Sequence, residues 1–461
     1  MRIFLVMPKS LSPKQTYREY PLGLGYLGTV LAQAGHEVAI HDQLVEGTNT
    51  VGLVAAAEAF GPDVVGFSVI TPNYPNVPGI IQLLRERIPG TPIMAGGVHA
   101  SLFPADLIRD GADAVLVGEA ESVIVALAEA LAQRQSLSHI PGLTYLDPER
   151  GIVQSNARPA ATTPEHLPMV DRSLFNLPRY QHHSLLASRG CPYKCTFCCN
   201  YSGTILSKGL SVQPYQRVID ELLEIQNRFS GKEVFFADDI FLVKRSNILQ
   251  FCDAYKDARL ALNWVGQMRV DTVTDELTAK MAEAGCKRIY FGVESGSEAI
   301  LERTRKRVTV NNIRQGISAT KRAGIRVKTG WIFGLPGTLE EQRMSIDLML
   351  ETRPNDISIH QLIPFPGTEY YNNPSAHGIR IKDPKDFASF CYGGLGDNIT
   401  FDYMSREQYR DLIAETVNRL EAAGYVSSDV AQPGAEFVYT TPLSSHSIRV
   451  FNSGSVSTGE V

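Results

Sequence analysis

Cysteine is nearly missing from this chain outside one stretch: of seven in 461 residues, only Cys252, Cys286 and Cys391 lie elsewhere. So uneven a distribution excludes a disulfide framework. There is no Lys/Arg block and no basic helix, and the net charge is only −5, so nucleic acid would find no electrostatic footprint. The N-terminal apolar run Met1-Arg2-Ile3-Phe4-Leu5-Val6-Met7 stops at Pro8, too short for a signal-peptide core or a membrane span. These absences predict a cytoplasmic protein with reduced thiols and with neither a membrane nor a nucleic-acid partner. Hydrophobic residues make up an ordinary 44%, enough for sizeable cores, and the length suits two or three domains.

The other four cysteines crowd into nine residues, in Arg189-Gly190-Cys191-Pro192-Tyr193-Lys194-Cys195-Thr196-Phe197-Cys198-Cys199-Asn200. Three thiolates at gaps of three and two residues can wrap one face of an iron–sulfur cube, leaving one iron without a protein ligand. A structural zinc site normally closes with a second ligand pair, and none at finger-like spacing lies nearby. His182 and His183 precede the loop, but neighbours on a strand point to opposite faces. Thiols packed as small hydrophobes remain the third reading, although such cysteines are rarely bunched. The pattern favours iron–sulfur.

Strand-like and helix-like runs alternate on both sides of that loop. Residues 2–7, 37–41, 63–69, 92–95 and 113–117 are short, apolar and bounded by Gly, Pro or Asp, as buried strands are. Helical patterns at 22–34, 51–60, 78–87 and 120–134 fill the gaps. Residues 1–135 therefore read as a doubly wound parallel sheet, its ligand crevice near Pro8, residues 71–75 and Gly96–His99. Residues 136–183 lose the alternation and gain Pro, Ser, Asp and Arg, as a linker does. Alternation returns over 184–378, with strands expected at 184–188, 233–237, 262–269, 288–293, 326–333 and 356–363. Six such βα units make an open barrel with its site at the strand C-termini and the cysteines after the first strand. Residues 379–461 read as a C-terminal extension, with Gly393-Gly394-Leu395-Gly396 as loop, an amphipathic helix over 405–424 that could close the barrel bottom, and a Ser/Thr/Gly-rich, partly extended tail.

Cys191-x-x-x-Cys195-x-Phe197-Cys198 resembles the cluster loop of radical S-adenosylmethionine (SAM) enzymes. The resemblance implies that Cys191, Cys195 and Cys198 hold a 4Fe-4S cluster, that Phe197 lies beside it, and that SAM chelates the open iron and is reductively cleaved to a 5′-deoxyadenosyl radical. Cys199 competes with Cys198 through a Cys-x-x-x-Cys-x-x-x-Cys reading; Cys198 is favoured because Phe197 then takes the family's aromatic position. The first 135 residues, with Pro21-Leu22-Gly23-Leu24-Gly25-Tyr26-Leu27, Gly96-Gly97-Val98-His99 and Val117-Gly118-Glu119-Ala120-Glu121, resemble the cobalamin-binding-type domain that precedes the barrel in one large subfamily. That subfamily contains methylases, ring-forming enzymes and members that do not use cobalamin, so cobalamin stays open. No Asp-x-His-x-x-Gly signature occurs. A lone His99 in a loop after a strand is more often a hydrogen-bonded turn residue than a cobalt ligand.

The strand ends carry the remaining candidates. Asp238 and Asp239 end the second barrel strand, where helix capping is the default role; the resemblance puts the contact to the SAM amino group on one of them. Gln267 and Arg269 share a face of the third, and a buried Arg needs a carboxylate, from the core or from SAM. Glu294 and Ser295 end the fourth, in a Phe-Gly-Val-Glu-Ser-Gly run that resembles the family's SAM-contact stretch, with capping by Ser295 or Ser297 compatible with it. Lys328, Trp331 and His360 on the last two strands are the inward-facing bets, and Glu294, Lys328 and His360 the candidate acid/base groups.

The shared step would be hydrogen-atom abstraction from an unactivated carbon of a small molecule. The doubled Cys198-Cys199 and modest length resemble radical SAM diol dehydratases of aminoglycoside biosynthesis, implying dehydration of a sugar diol, a flavodoxin- or ferredoxin-like electron donor, and a separate reductase for the product. Cobalamin-dependent methyl transfer is the alternative, and a non-catalytic iron–sulfur sensor or carrier the third.

Overall fold

Arg2–Met7 forms β1, and its alternate side chains enter two different cores. Phe4 and Val6 pack with Leu53, Ile80 and Leu84, whereas Ile3 and Leu5 pack with Leu24, Ile124 and Leu127. A strand apolar on both faces needs helices on both, which is why such runs become parallel sheet. In the computed structural model, which describes residues 1–11, 19–147, 151–157, 167–199, 209–229, 233–391, 396–427 and 447–452, the chain divides into two compact units between His182 and His183.

The first unit holds β1, β2 (Glu37–Asp42), β3 (Val64–Ser68), β4 (Ile93–Gly96) and β5 (Ala114–Leu116), all parallel, then β6 (Leu143–Asp147) and β7 (Ile152–Ser155), in the order β2-β1-β3-β4-β5-β6-β7. The last two are antiparallel and fall in the stretch expected to be linker. An uncovered β5 would be an open edge, and the hairpin covers it. Residues 167–182 also belong here. A Cβ on Gly25 would stand 2.9 Å from Val170, Asp171 N donates to Thr29 Oγ1 at 2.8 Å, and Phe175 stacks on Tyr20. The centre of the expected linker, 158–166, lies outside the described residues. The helix expected from 120 begins at Ile124, because Gly118, at φ +88°, and the turn after it carry the chain round the strand ends.

The second unit opens on β8 (His183–Leu185); β9 (Ser188–Arg189) leads into the cysteine loop and pairs with β10 (Ser211–Val212). Next come β11 (Val234–Phe236), β12 (Trp264–Met268), β13 (Cys286–Glu294), β14 (Arg326–Phe333) and β15 (Asp356–Gln361), which with β8 make the six parallel strands of a partial (β/α)6 barrel. β16 (Ile379–Ile381) and β17 (Ile399–Phe401) form a hairpin apart from it, while β19 (Ser447–Asn452) extends the sheet antiparallel to β15 and β18 (Tyr425–Ser427) pairs antiparallel with β19, in the order β18-β19-β15-β14-β13-β12-β11-β8. The amphipathic helix Arg406–Ala422, started by a Ser405/Gln408 capping box, lies against helix Leu339–Thr352 through the Arg343–Glu415 and Arg419–Asp347 ion pairs. Gly393–Leu395 and the tail at 428–446 and 453–461 lie outside the described residues.

Gly97 shows how tightly the first sheet's strand ends are drawn. Its φ is +102°, and a Cβ would stand 2.7 Å from Val69 O. Gly97→Ala should lower the urea-unfolding midpoint, at a cost of about 1–3 kcal/mol; a wild-type midpoint by circular dichroism would show that this turn relaxes.

Candidate functional site

In the second unit the cysteine loop follows β9, and all seven cysteines of the chain are free thiols. Cys195 is buried; Cys191, Cys198 and Cys199 are half-buried, as is Phe197. A turn closed by Cys198 N donating to Cys195 O at 3.1 Å folds the loop back on itself. Burial pushes the Cys191 thiol up, with Asp239 adding to the rise and Arg269 opposing it. Burial also raises Cys195, while Lys306 and Arg269 pull it down. Among the described residues no three His, Cys, Asp or Glu side chains gather as closely as one metal ion needs. A cubane seats each cysteine on a different iron and so holds the sulfurs farther apart. A donor set of thiols on one short turn, beside two cations, fits that larger group.

The two adjacent aspartates separate. Asp238 is fully buried and accepts from Ala187 N at 3.0 Å and Ser188 Oγ at 2.5 Å, tying the end of β11 to the entry of the cysteine loop. Burial raises its pKa from 3.8 to about 7. Asp239 is exposed, and its charge bears on both Cys191 and Cys199. Alternation along the chain end puts one carboxylate into the fold and the other at the loop.

Arg269 is 3% exposed, and the anion it needs is Asp271, which accepts from Nε and Nη2 at 3.0 and 2.9 Å. Gln267, on the same face, is half-buried. Glu294 ends β13 with φ +72°, a conformation rarely adopted by residues other than glycine, and is ion-paired to Lys306 at 2.9 Å. Its carboxylate folds back over Gly292, where a Cβ would collide with it. Ser295 is buried in the turn, accepting from Ser297 N at 3.1 Å, while Ser297 caps helix Glu298–Arg303.

The inward-facing bets are not brought together. Lys328 pairs in register with Asp356, and His360 with Ile332, four residues further along. At ~3.3 Å per residue that is about 13 Å of strand. His360 lies at the strand ends near the level of Glu294; Lys328 lies deep, its ammonium 5.4 Å from the centre of the Tyr290 ring. Trp331 faces the other way, into the core beneath the helices, fully buried with Nε1 donating to Thr329 Oγ1 at 2.9 Å. Sequence reading missed Lys306, Asp271, Tyr193 and Tyr290. The only signal for Lys306 was the basic run Arg305-Lys306-Arg307 shortly after Glu294-Ser295-Gly296.

In the first unit a cavity of about 150 Å³ opens at the C-terminal ends of the strands. Glycines form much of it: Gly23, Gly66, Gly96 and Gly118, with Leu24 and Phe67 as apolar wall. A Cβ on Gly23 would meet nothing within 4 Å, and one on Gly96 only Leu116 at 3.9 Å. His99 does not line it. That side chain is buried, 3.2 Å from Thr71 Oγ1 and stacked on Tyr74, and burial lowers its pKa to about 3.

Family models match both units: a B12 binding domain over residues 14–128 and the Radical SAM superfamily over 185–349. The chain belongs to the radical SAM superfamily, in the branch with a B12-binding domain ahead of the barrel. It is an enzyme of that superfamily, with a 4Fe-4S cluster and SAM as cofactors and a cobalamin-type domain in front. An uncharacterized methyltransferase of Pyrococcus horikoshii is 27% identical over 396 residues, 83% of this chain and 84% of that one. The hopanoid C-3 methylase of Methylococcus capsulatus is 27% identical over 81% of this chain and 73% of its own. The fold is also that of the radical SAM methyltransferase TsrM from Kitasatospora setae, with TM-score 0.71 at 19% identity, covering 91% of this chain and 88% of that one. The cobalamin-dependent SAM radical enzyme OxsB superposes with TM-score 0.66 at 21% identity over 76% of this chain, which spans about half, 52%, of that longer protein. Among the described residues no helix is long and apolar enough to cross a membrane.

The raised pKa of Asp238 has a sign that can be measured. Between 3.8 and about 7 the folded state holds the proton that the unfolded state releases, so stability falls as pH rises through that window. Asp238→Asn should flatten the decline of melting temperature between pH 5 and 8 (about the span of the window). An unchanged slope would mean that other groups set it.

Proposed function

We propose that the chain is a cobalamin-dependent radical SAM methyltransferase acting on a small molecule. The observation that carries this is the glycine-walled, apolar cavity at the strand ends of the first unit. It is too small for a corrin ring but suits the flat benzimidazole of a cobalamin, with Ser68, Glu119 and Glu121 as polar groups among its walls. The names of the relatives favour the same reading. Dehydration of a sugar diol, expected from the doubled Cys198-Cys199, draws no support from them, and the separate product reductase goes with it.

When bound, the reduced cluster supplies the electron that cleaves SAM, and cobalamin supplies a methyl carrier. On this reading Cys191, Cys195 and Cys198 hold the cluster, with Cys199 as competitor for the third place. Asp239 is the aspartate left to meet the SAM amino group, since Asp238 is spent on the backbone of Ala187 and the Ser188 hydroxyl. Glu294 is fixed by Lys306, Gln267 lies in register with Tyr290, and His360 is the acid/base group at the level of the chemistry. Lys328, deep beside Tyr290, shapes the floor. The electron comes from a small donor such as flavodoxin or ferredoxin.

Anaerobic incubation of the reconstituted, reduced protein with SAM, with and without cobalamin, separates the readings. 5′-Deoxyadenosine should form in both cases and S-adenosylhomocysteine only with cobalamin, which accepts the methyl group; S-adenosylhomocysteine formed without cobalamin would sink the proposal, and no SAM cleavage would leave a sensor or carrier. Gly23→Leu or Gly96→Leu should cut the cobalamin retained through gel filtration about tenfold with little change in melting temperature; full retention would put cobalamin elsewhere. Alanine at Cys191, Cys195 or Cys198 should abolish the iron–sulfur absorbance while Cys199→Ala keeps it, and the reverse result at 198 and 199 would exchange those two.

A further inference from the structure

The cysteine loop is tied to residues 304–307, which follow helix Glu298–Arg303. Thr196 N donates to Thr304 O at 3.1 Å, and Cys195 Sγ lies 3.9 Å from Arg305 O. Arg269 Nη2 donates to Lys306 O at 2.9 Å and to Arg307 O at 3.3 Å. On its flat side the same guanidinium sits 3.7 Å from the centre of the Tyr193 ring, inside the loop between Cys191 and Cys195. Asp271 fixes it from a third direction. Arg305 and Arg307 adopt φ of +53° and +55°, a left-handed backbone that costs energy for residues other than glycine and persists only where its surroundings impose it. Between them, the Lys306 side chain reaches Glu294.

We infer that Arg269 is a positioning residue for the cluster loop and not a contact to SAM. This rests on reading that loop as the cluster site. A guanidinium has a face that stacks and an edge that donates, and here both are in use: the face holds Tyr193 and the edge holds Asp271 and the carbonyls of 306 and 307. The cysteine loop and Glu294 are thereby referenced to one rigid group at the end of β12. A lysine could supply the charge but neither the stacking plane nor the fork.

The test is the rate at which iron leaves the reconstituted cluster to a chelator, in the absence of SAM, alongside SAM affinity. Tyr193→Phe keeps the ring and should match wild type. Tyr193→Leu and Arg269→Met should release iron about fivefold faster, and Arg269→Lys should not restore the wild-type rate. Wild-type release from Tyr193→Leu would overturn the inference. So would an Arg269→Met protein that keeps its iron normally but binds SAM more weakly, because that is the behaviour of a SAM contact. Should Arg269→Met fail to fold by circular dichroism, the Phe and Leu variants at Tyr193 decide alone. Cys195→Ala is the separate control: wild-type iron content in it would remove the cluster from this loop, and the role of Arg269 with it.

Discussion

Parallel strands cannot be joined by a tight turn; each has to be followed by a segment that carries the chain back to the starting end, and a helix does this while covering the sheet. Both units obey that constraint, and its consequence is that the loops at the strand C-termini are the ones free to vary. In the first unit those loops are built with glycine, and a cavity opens among them. In the second they carry the cysteines and Asp239, with Glu294 and His360 at the ends of the strands that lead into them. The helix-side faces, by contrast, are filled with apolar side chains such as Trp264, Phe291 and Trp331. Chemistry-bearing residues therefore collect at one end of each sheet because the other positions are spent on packing.

Within the barrel, two buried ionisable groups hold the cysteine loop. Asp238 grips the entry through Ala187 and Ser188, and Arg269 grips the middle through Tyr193. A buried ion is costly unless its hydrogen-bonding capacity is met. Arg269 has Asp271 and two carbonyls; Asp238 has a backbone amide and a hydroxyl and meets the rest of the cost by holding its proton up to about pH 7. Such groups fix a loop more sharply than apolar packing does, since they tolerate little displacement before losing their partners. Glu294 is governed in the same way, its left-handed backbone and its ion pair with Lys306 fixing one carboxylate position at the end of β13.

Local sequence pattern made the strand and helix series legible on both sides of the cysteines, because period and length are properties of short windows. The six barrel strands fall where their apolar runs predict. The β6–β7 hairpin and the return of residues 167–182 onto helix Leu22–Gln33 were not legible, because Leu143-Thr144-Tyr145 or Val170 and Phe175 find their burial only against distant residues such as β5 and Gly25. The pairing of β19 with β15 is of the same kind. At the site, residue types were readable and their roles less so. Nothing local distinguishes Asp238 from Asp239, or shows that Trp331 faces the helices while Lys328 lies deep on the other face.

The sequence by itself determined the chemistry available: four thiols on one turn, glycines after parallel strands, and carboxylates and a histidine at strand ends. Together with the alternation of period, these fix the two-unit α/β architecture, since both signals are local. Only the tertiary structure decided which of those groups are spent and which face the site. Asp238 and Arg269 are consumed in holding the loop, Asp239 stands beside the cysteines, and Lys306, silent in the sequence, fixes Glu294. The reason is that a charged side chain's role follows from its partner, and here the partners come from other strands and from residues 304–307, brought close only when the barrel closes its parallel strands side by side.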